Sequence, residues 1–156
     1  MKEIIERHFV PCLEMLVQVI ETSPPTLWEK REKHAPLWQH VMHTLESVDY
    51  WFTDSQLPYL AEKYSRHIPF DFTETELETV SQPHCREYFQ QIKNKSRDFF
   101  KKYGEKLLEI SFRLKEYTIL DVLLGQIRHI QYHVAYCSSI LSRHGLGDIK
   151  WLGYGE

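Results

Sequence analysis

A chain of 156 residues, 42% hydrophobic and 26% charged, has the size of one domain and enough apolar residues to bury a core without disulfide staples. Its 19 basic and 22 acidic residues leave a formal charge of −3, with no Lys/Arg run long enough to track a phosphate backbone, which argues against nucleic acid as a partner. No apolar run approaches the roughly 18–20 residues that cross a bilayer, so a membrane is not expected either.

The opening Met1-Lys2-Glu3-Ile4-Ile5-Glu6-Arg7 carries acidic residues where a signal peptide has a basic and then an apolar region, so a cytoplasmic protein is expected. Ile5, Phe9, Leu13, Leu16 and Ile20 recur at helical spacing and predict a first helix from Lys2 to Glu21, with a kink or a late start at Pro11. Ser23-Pro24-Pro25-Thr26 ends it. A second helix is predicted from Pro36 to Phe52, its apolar arc formed by Leu37, Trp38, Val41, Leu45 and Val48; His40, His43, Ser47 and Trp51 line up on a different face. Residues 53 to 80 read as a long, mostly irregular connection with a short helical turn near 57–64, and connections of that length serve as lids or ordered excursions.

Ser81 caps a predicted third helix that takes Pro83 in its first turn, buries Tyr88, Phe89, Ile92, Phe99, Tyr103 and Leu107, and weakens or ends at Gly104. The mixed charges of 93–106 read as a solvated face. The stretch 106–112 fits a helical extension or a short strand. Thr118 and Asp121 form a capping-box-like start to a fourth helix ending at Gly145, with Ile119, Leu123, Ile127, Ile130, Val134, Cys137 and Leu141 as its buried stripe. The glycine-punctuated, aromatic tail 147–154 is expected to fold back over one end. Taken together, these segments predict an all-α fold: one four-helix-bundle domain over 1–156 with a long connection between helices 2 and 3.

Arg128-His129-Ile130-Gln131-Tyr132-His133 places two histidines four residues apart on the edge of the fourth helix's apolar stripe, where both rings can reach one metal ion. His133 faces the bundle more clearly than His129. The competing reading is a pair of partly buried histidines bonded to neighbouring side chains, and nine histidines in the chain make chance pairs common. A third nitrogen has to come from His40 or His43. The His129 pair lacks the glutamate that a zincin protease places after its first histidine. Gln126, one turn earlier, is either an exposed glutamine or a residue that orients a ring. Cys137, one turn after His133, reads as a core residue rather than a fourth ligand. Cys12, Cys85 and Cys137 are odd in number and never form C-x-x-C, which suggests reduced thiols and argues against a zinc finger.

His43-Thr44-Leu45-Glu46-Ser47-Val48-Asp49-Tyr50-Trp51-Phe52, with 128–134 and Trp151-Leu152-Gly153, resembles the DinB-like superfamily of metal-binding four-helix proteins. Pro36-Leu37-Trp38 and Ile68-Pro69-Phe70 are also similar, and the resemblance spans roughly residues 30 to 153. It implies that His43, His129 and His133 hold a divalent ion, zinc or nickel, with water at the remaining positions. It also matches Asp49 to a recurrent aspartate, for which a helix-surface or capping contact is the competing role. The family includes thiol S-transferases that use bacillithiol, mycothiol or glutathione and a maleylpyruvate isomerase branch, and a homodimer is implied. Local periodicity points the other way on one ligand: His43 lies roughly 170° from the centre of the second helix's apolar arc, and His40 about 60° closer.

Three imidazoles without a carboxylate leave a metal its full charge and an open position, suited to lowering the pKa of a small thiol or a water for transfer to an electrophile held under the 53–80 connection. The reading from another class is a non-catalytic, metal-binding, dimeric stress-related or regulatory bundle protein.

Overall fold

The computed structural model describes residues 1–31, 35–65, 72, 77–111 and 113–153. Among them the chain is all-helical: α1 (Lys2–Thr22), α2 (Pro25–Trp28), α3 (Leu37–Trp51), α4 (Ala61–Tyr64), α5 (Gln82–Tyr103) and α6 (Ile119–Arg143). The four long helices α1, α3, α5 and α6 pack on one another, and α3 touches the other three as well as α2 and α4. None of the described helices is long and apolar enough to cross a membrane. Ile68-Pro69-Phe70 and Tyr154 lie outside the described residues.

The predicted apolar stripes of α1, α3 and α6 are buried, whereas in that of α5 Tyr103 is half-buried and the buried Leu107 lies past the helix end. Ile5, Phe9, Leu13, Leu16 and Ile20 of α1 and all seven stripe positions of α6 belong to the core. The helix α1 starts at Lys2 rather than late and runs through Pro11, because packing along α5 and α6 outweighs the single ladder bond that proline forfeits. Pro25, read from sequence as part of a terminator, instead opens the one-turn α2 at a position where its missing N–H costs nothing. This turn buries Leu27 and Trp28, and Trp28 Nε1–H donates to Val80 O at 2.8 Å, tying down the far end of the long connection.

The caps follow the sequence. Ser81 Oγ accepts from His84 N–H, and Thr118 and Asp121 complete a reciprocal capping box at the start of α6. At the other end α6 stops at Arg143, two residues earlier than expected; Gly145 takes a φ of 75°, and Leu146 N–H returns to Leu141 O at 3.1 Å. Within the predicted 106–112 stretch, the described residues 106–111 form neither helix nor strand. They form turns and an isolated antiparallel bridge between Ile110 and Thr118, with Phe112 outside the described residues. The tail does fold back: Ile149 is buried, and Lys150 N–H donates to Gln18 Oε1 at 3.0 Å.

One charge was misread as solvated. Lys95 is 6% exposed, and its ammonium is surrounded by Asp49 O at 2.9 Å, Thr53 Oγ1 at 2.6 Å, Pro58 O at 2.8 Å and an ion pair with Asp49 Oδ1. Asp49 Oδ2 accepts from Leu60 N–H at 2.8 Å, Ala61 N–H at 2.7 Å and Tyr88 O–H at 3.0 Å. The aspartate is therefore a buried hub that fastens the start of the long connection and the first turn of α4 to α3 and α5. Neighbouring Glu46 adds two ties, accepting from Tyr59 O–H at 2.9 Å and Ser65 O–H at 2.6 Å.

Candidate metal centre

α3 is buried almost all round, its polar positions Gln39, His40, Thr44, Glu46, Ser47 and Asp49 included. Helix α3 therefore has a second inward face, opposite its apolar arc, and that face meets α6. His43 projects from it toward His129 and His133, which sit one turn apart on α6. One ligand atom from each of the three lies within 4.8 Å of the others. His129 Nε2 is 3.1 Å from His43 Nε2 and 3.0 Å from His133 Nε2, and the three rings meet edge to face.

The valence of these nitrogens tests whether a metal fits. An imidazole nitrogen carries either one proton or one in-plane lone pair. His129 Nε2 faces two other Nε2 atoms, so neither tautomer satisfies both contacts with well-formed hydrogen bonds. A single cation accepts all three lone pairs at once. Zinc–nitrogen bonds of about 2.0–2.1 Å put two ligand nitrogens on a tetrahedral ion about 3.3 Å apart, a few tenths beyond the two contacts seen. The three histidines are close enough together to hold an ion.

The resemblance points to His43 and local periodicity to His40; the geometry brings His43 to the pair on α6. His40 is not in the trio; its Nδ1 faces His133 Nδ1 at 3.0 Å. With His133 offering Nε2 to the cluster, its Nδ1–H points at His40, the arrangement by which a neighbour orients a ligand ring and raises its basicity. The ring of Tyr136 packs on His40 with centroids 4.5 Å apart. Gln126 is buried rather than exposed, but it bonds Ser47 O–H through Oε1 at 3.1 Å and no histidine. Cys137 lies in the core outside the cluster, its thiol pushed up to about 12 by burial. All three cysteines are free and buried.

Phe72 was not singled out from sequence. Its ring lies tilted against those of His40 at 4.8 Å, His43 at 4.7 Å and His133 at 5.9 Å, so the long connection delivers an aromatic cover to the cluster. A φ of 58° at this bulky residue is an uncommon left-handed conformation, of the kind found where a segment must aim a side chain at a site. Among the aromatic residues of a long irregular segment, no local pattern marks which one will fold inward.

Burial keeps the trio neutral. His43 is lowered to about 4 and His133 to about 2, in both cases first by desolvation and then by the neighbouring histidines; His129 is lowered by burial as well. Lone pairs on neutral rings are what a metal requires. His129 Nδ1 is buried and meets no hydrogen-bond partner among the described residues, leaving a polar atom for a water or a bound group.

The shifts predict a pH response of the metal-free protein. An unfolded histidine titrates near 6.5 and these folded ones lower, so between pH 6.5 and about 4 the unfolded state binds more protons. The trio's contribution to stability is complete above pH 6.5 and declines as the pH falls toward 4. Ring-proton NMR in the presence of chelator is expected to show His43 and His133 still neutral at pH 5.5. Titration of either with a midpoint near 6.5 contradicts the burial argument.

The chain matches no family model, no curated protein and no solved structure.

Proposed function

We propose that the protein is a four-helix bundle of the DinB-like kind in which His43, His129 and His133 hold a divalent ion, zinc or nickel, and that this centre activates a small thiol or a water for transfer to an electrophilic small molecule. The observation that carries the reading is the convergence of three imidazoles at which no tautomer of His129 satisfies both of its Nε2 contacts with well-formed hydrogen bonds. The mutual packing of the four long helices α1, α3, α5 and α6 is compatible with such a bundle, and the resemblance over 43–52 and 128–134 supports the same ligand set.

When bound by the neutral imidazoles of His43, His129 and His133, a divalent ion would supply Lewis acidity that favours the anion of a small thiol or water near neutral pH. The protein's own groups do the rest. His40 fixes the tautomer and tilt of His133, and the Phe72 ring limits the entry of bulk water above the cluster. In the thiol reaction the sulfur forms a carbon–sulfur bond, the leaving group departs with the bonding pair, and the thiol proton passes to solvent. The homodimer implied by the resemblance belongs to the same proposal and is checked by light scattering.

Protein purified without chelator is expected to carry one ion per chain and to catalyse thiol-dependent loss of a chromogenic aryl halide in a panel of low-molecular-weight thiols, with His129→Ala reducing turnover at least a hundredfold. One ion per chain with no turnover across thiol and hydrolase panels assigns the centre instead to a non-catalytic regulatory or stress-related bundle protein.

A further inference from the structure

A cavity of about 300 Å³ opens between the end of α3, the first half of α6 and residues 114–117. Trp51, Leu114, Tyr117 and Val122 give it apolar and aromatic walls, and Gly125 lies in its floor. Gly125 sits well inside α6, where glycine costs about 1 kcal/mol relative to alanine. No packing constraint asks for it: a Cβ built there meets nothing within 4 Å. The hollow remains open because this position has no side chain.

The polar groups of the cavity point to the charge of its occupant. Arg128 lines it, is exposed, and makes no ion pair with any described residue. Ser47 O–H donates to Gln126 Oε1, which leaves the amide N–H groups of Gln126 to donate into the cavity. Asp121 also lines it, but Asp121 Oδ2 is held by Thr118 N–H and O–H, and the residue sits two turns back along α6 from Arg128, about 10 Å away. The donor-rich end is therefore the end near the histidines: Gly125 and His129 are four residues apart on one face, about 6 Å along the helix.

We infer that this cavity binds a small organic anion with a flat apolar body, its carboxylate taken by Arg128 and Gln126 and its body held among Trp51, Leu114, Tyr117 and Val122 above Gly125. Its identity as the electrophile of the transfer rests on the proposed function; the binding site itself does not. Arg matches a carboxylate with paired N–H donors, and the aromatic walls favour a planar ligand.

Calorimetric titration of the full chain with naphthoate, naphthamide and naphthylmethylamine tests it, on metal-loaded and chelator-treated protein. Naphthoate is expected to bind at least tenfold more tightly than the amide, and the amine more weakly than either. Arg128→Gln is expected to remove the preference for naphthoate while leaving naphthamide affinity unchanged. Gly125→Leu is expected to abolish binding of both, with melting temperature and metal content retained. Equal affinity for the three probes, or naphthoate binding unaltered by both variants, overturns the inference; the exposed Arg128 substitution decides the matter if Gly125→Leu fails to fold. Naphthoate binding to a protein that never takes up metal leaves the cavity standing and removes the metal reading. Stoichiometric metal without naphthoate binding does the reverse.

Discussion

Alanine at His43, His129 or His133 is expected to abolish stoichiometric metal binding, while His40→Ala keeps one ion per chain and weakens its affinity about 10–100-fold. The difference follows from which nitrogen each residue presents. His43, His129 and His133 offer Nε2 atoms to a common point, and the loss of any one leaves two imidazoles and an ion without a third protein ligand. His40 offers Nδ1 to the rear of His133 and acts through that ring. Its removal frees the orientation of His133 and lowers the basicity of its Nε2, but all three ligands remain. Competition against a chromophoric chelator, with elemental analysis of the purified variants, separates the two effects. Full metal content in His43→Ala together with its loss in His40→Ala would falsify the assignment and make His40 the ligand.

The second large effect belongs to the buried ion pair. Lys95→Ala is expected to destabilise the fold by about 3–5 kcal/mol, the usual cost of leaving one charge of a buried pair without its partner. Asp49→Ala is expected to cost at least as much, because it also strips the acceptor from Leu60 N–H, Ala61 N–H and Tyr88 O–H. The double substitution Asp49→Leu/Lys95→Met removes the stranded charge but not the stranded backbone donors, so it recovers only part of the loss. Urea denaturation monitored by circular dichroism measures all three. A loss of less than about 1 kcal/mol for Lys95→Ala shows that the Asp49 carboxylate is satisfied without the ammonium and that the pair does not hold the connection. Because the fastened segment leads toward Phe72, the same variants are expected to expose the histidine cluster, which ties this structural latch to the site it covers.

Much of this protein is written in local patterns. A period of 3.6 residues marked the four long helices, since each needs a continuous apolar stripe against its neighbours, and side-chain chemistry at Ser81 and at Thr118 with Asp121 marked where two of them begin. The spacing of His129 and His133 put both rings on one edge of α6, a relation internal to a single helix. What a single helix cannot encode is which of its faces meets which partner. Helix α3 is enclosed by α1, α5 and α6, so the distance of a residue from the apolar arc no longer measures its burial; His43 looked outward on the wheel and turned out to face α6. Lys95 was one charge among several on α5 until Asp49 of α3 arrived beside it. Phe72 meets the histidines from a connection whose described flanks are fastened by residues distant in sequence, Trp28 at Val80 and Asp49 at Leu60 and Ala61. The hollow at Gly125 likewise exists only between elements. The sequence by itself determined the helices and the pairing of His129 with His133, because those depend on neighbours along one helix; that His43 rather than His40 joins them, that His40 stands behind His133 and that Phe72 covers the cluster depend on contacts across the core, and the tertiary structure decided them.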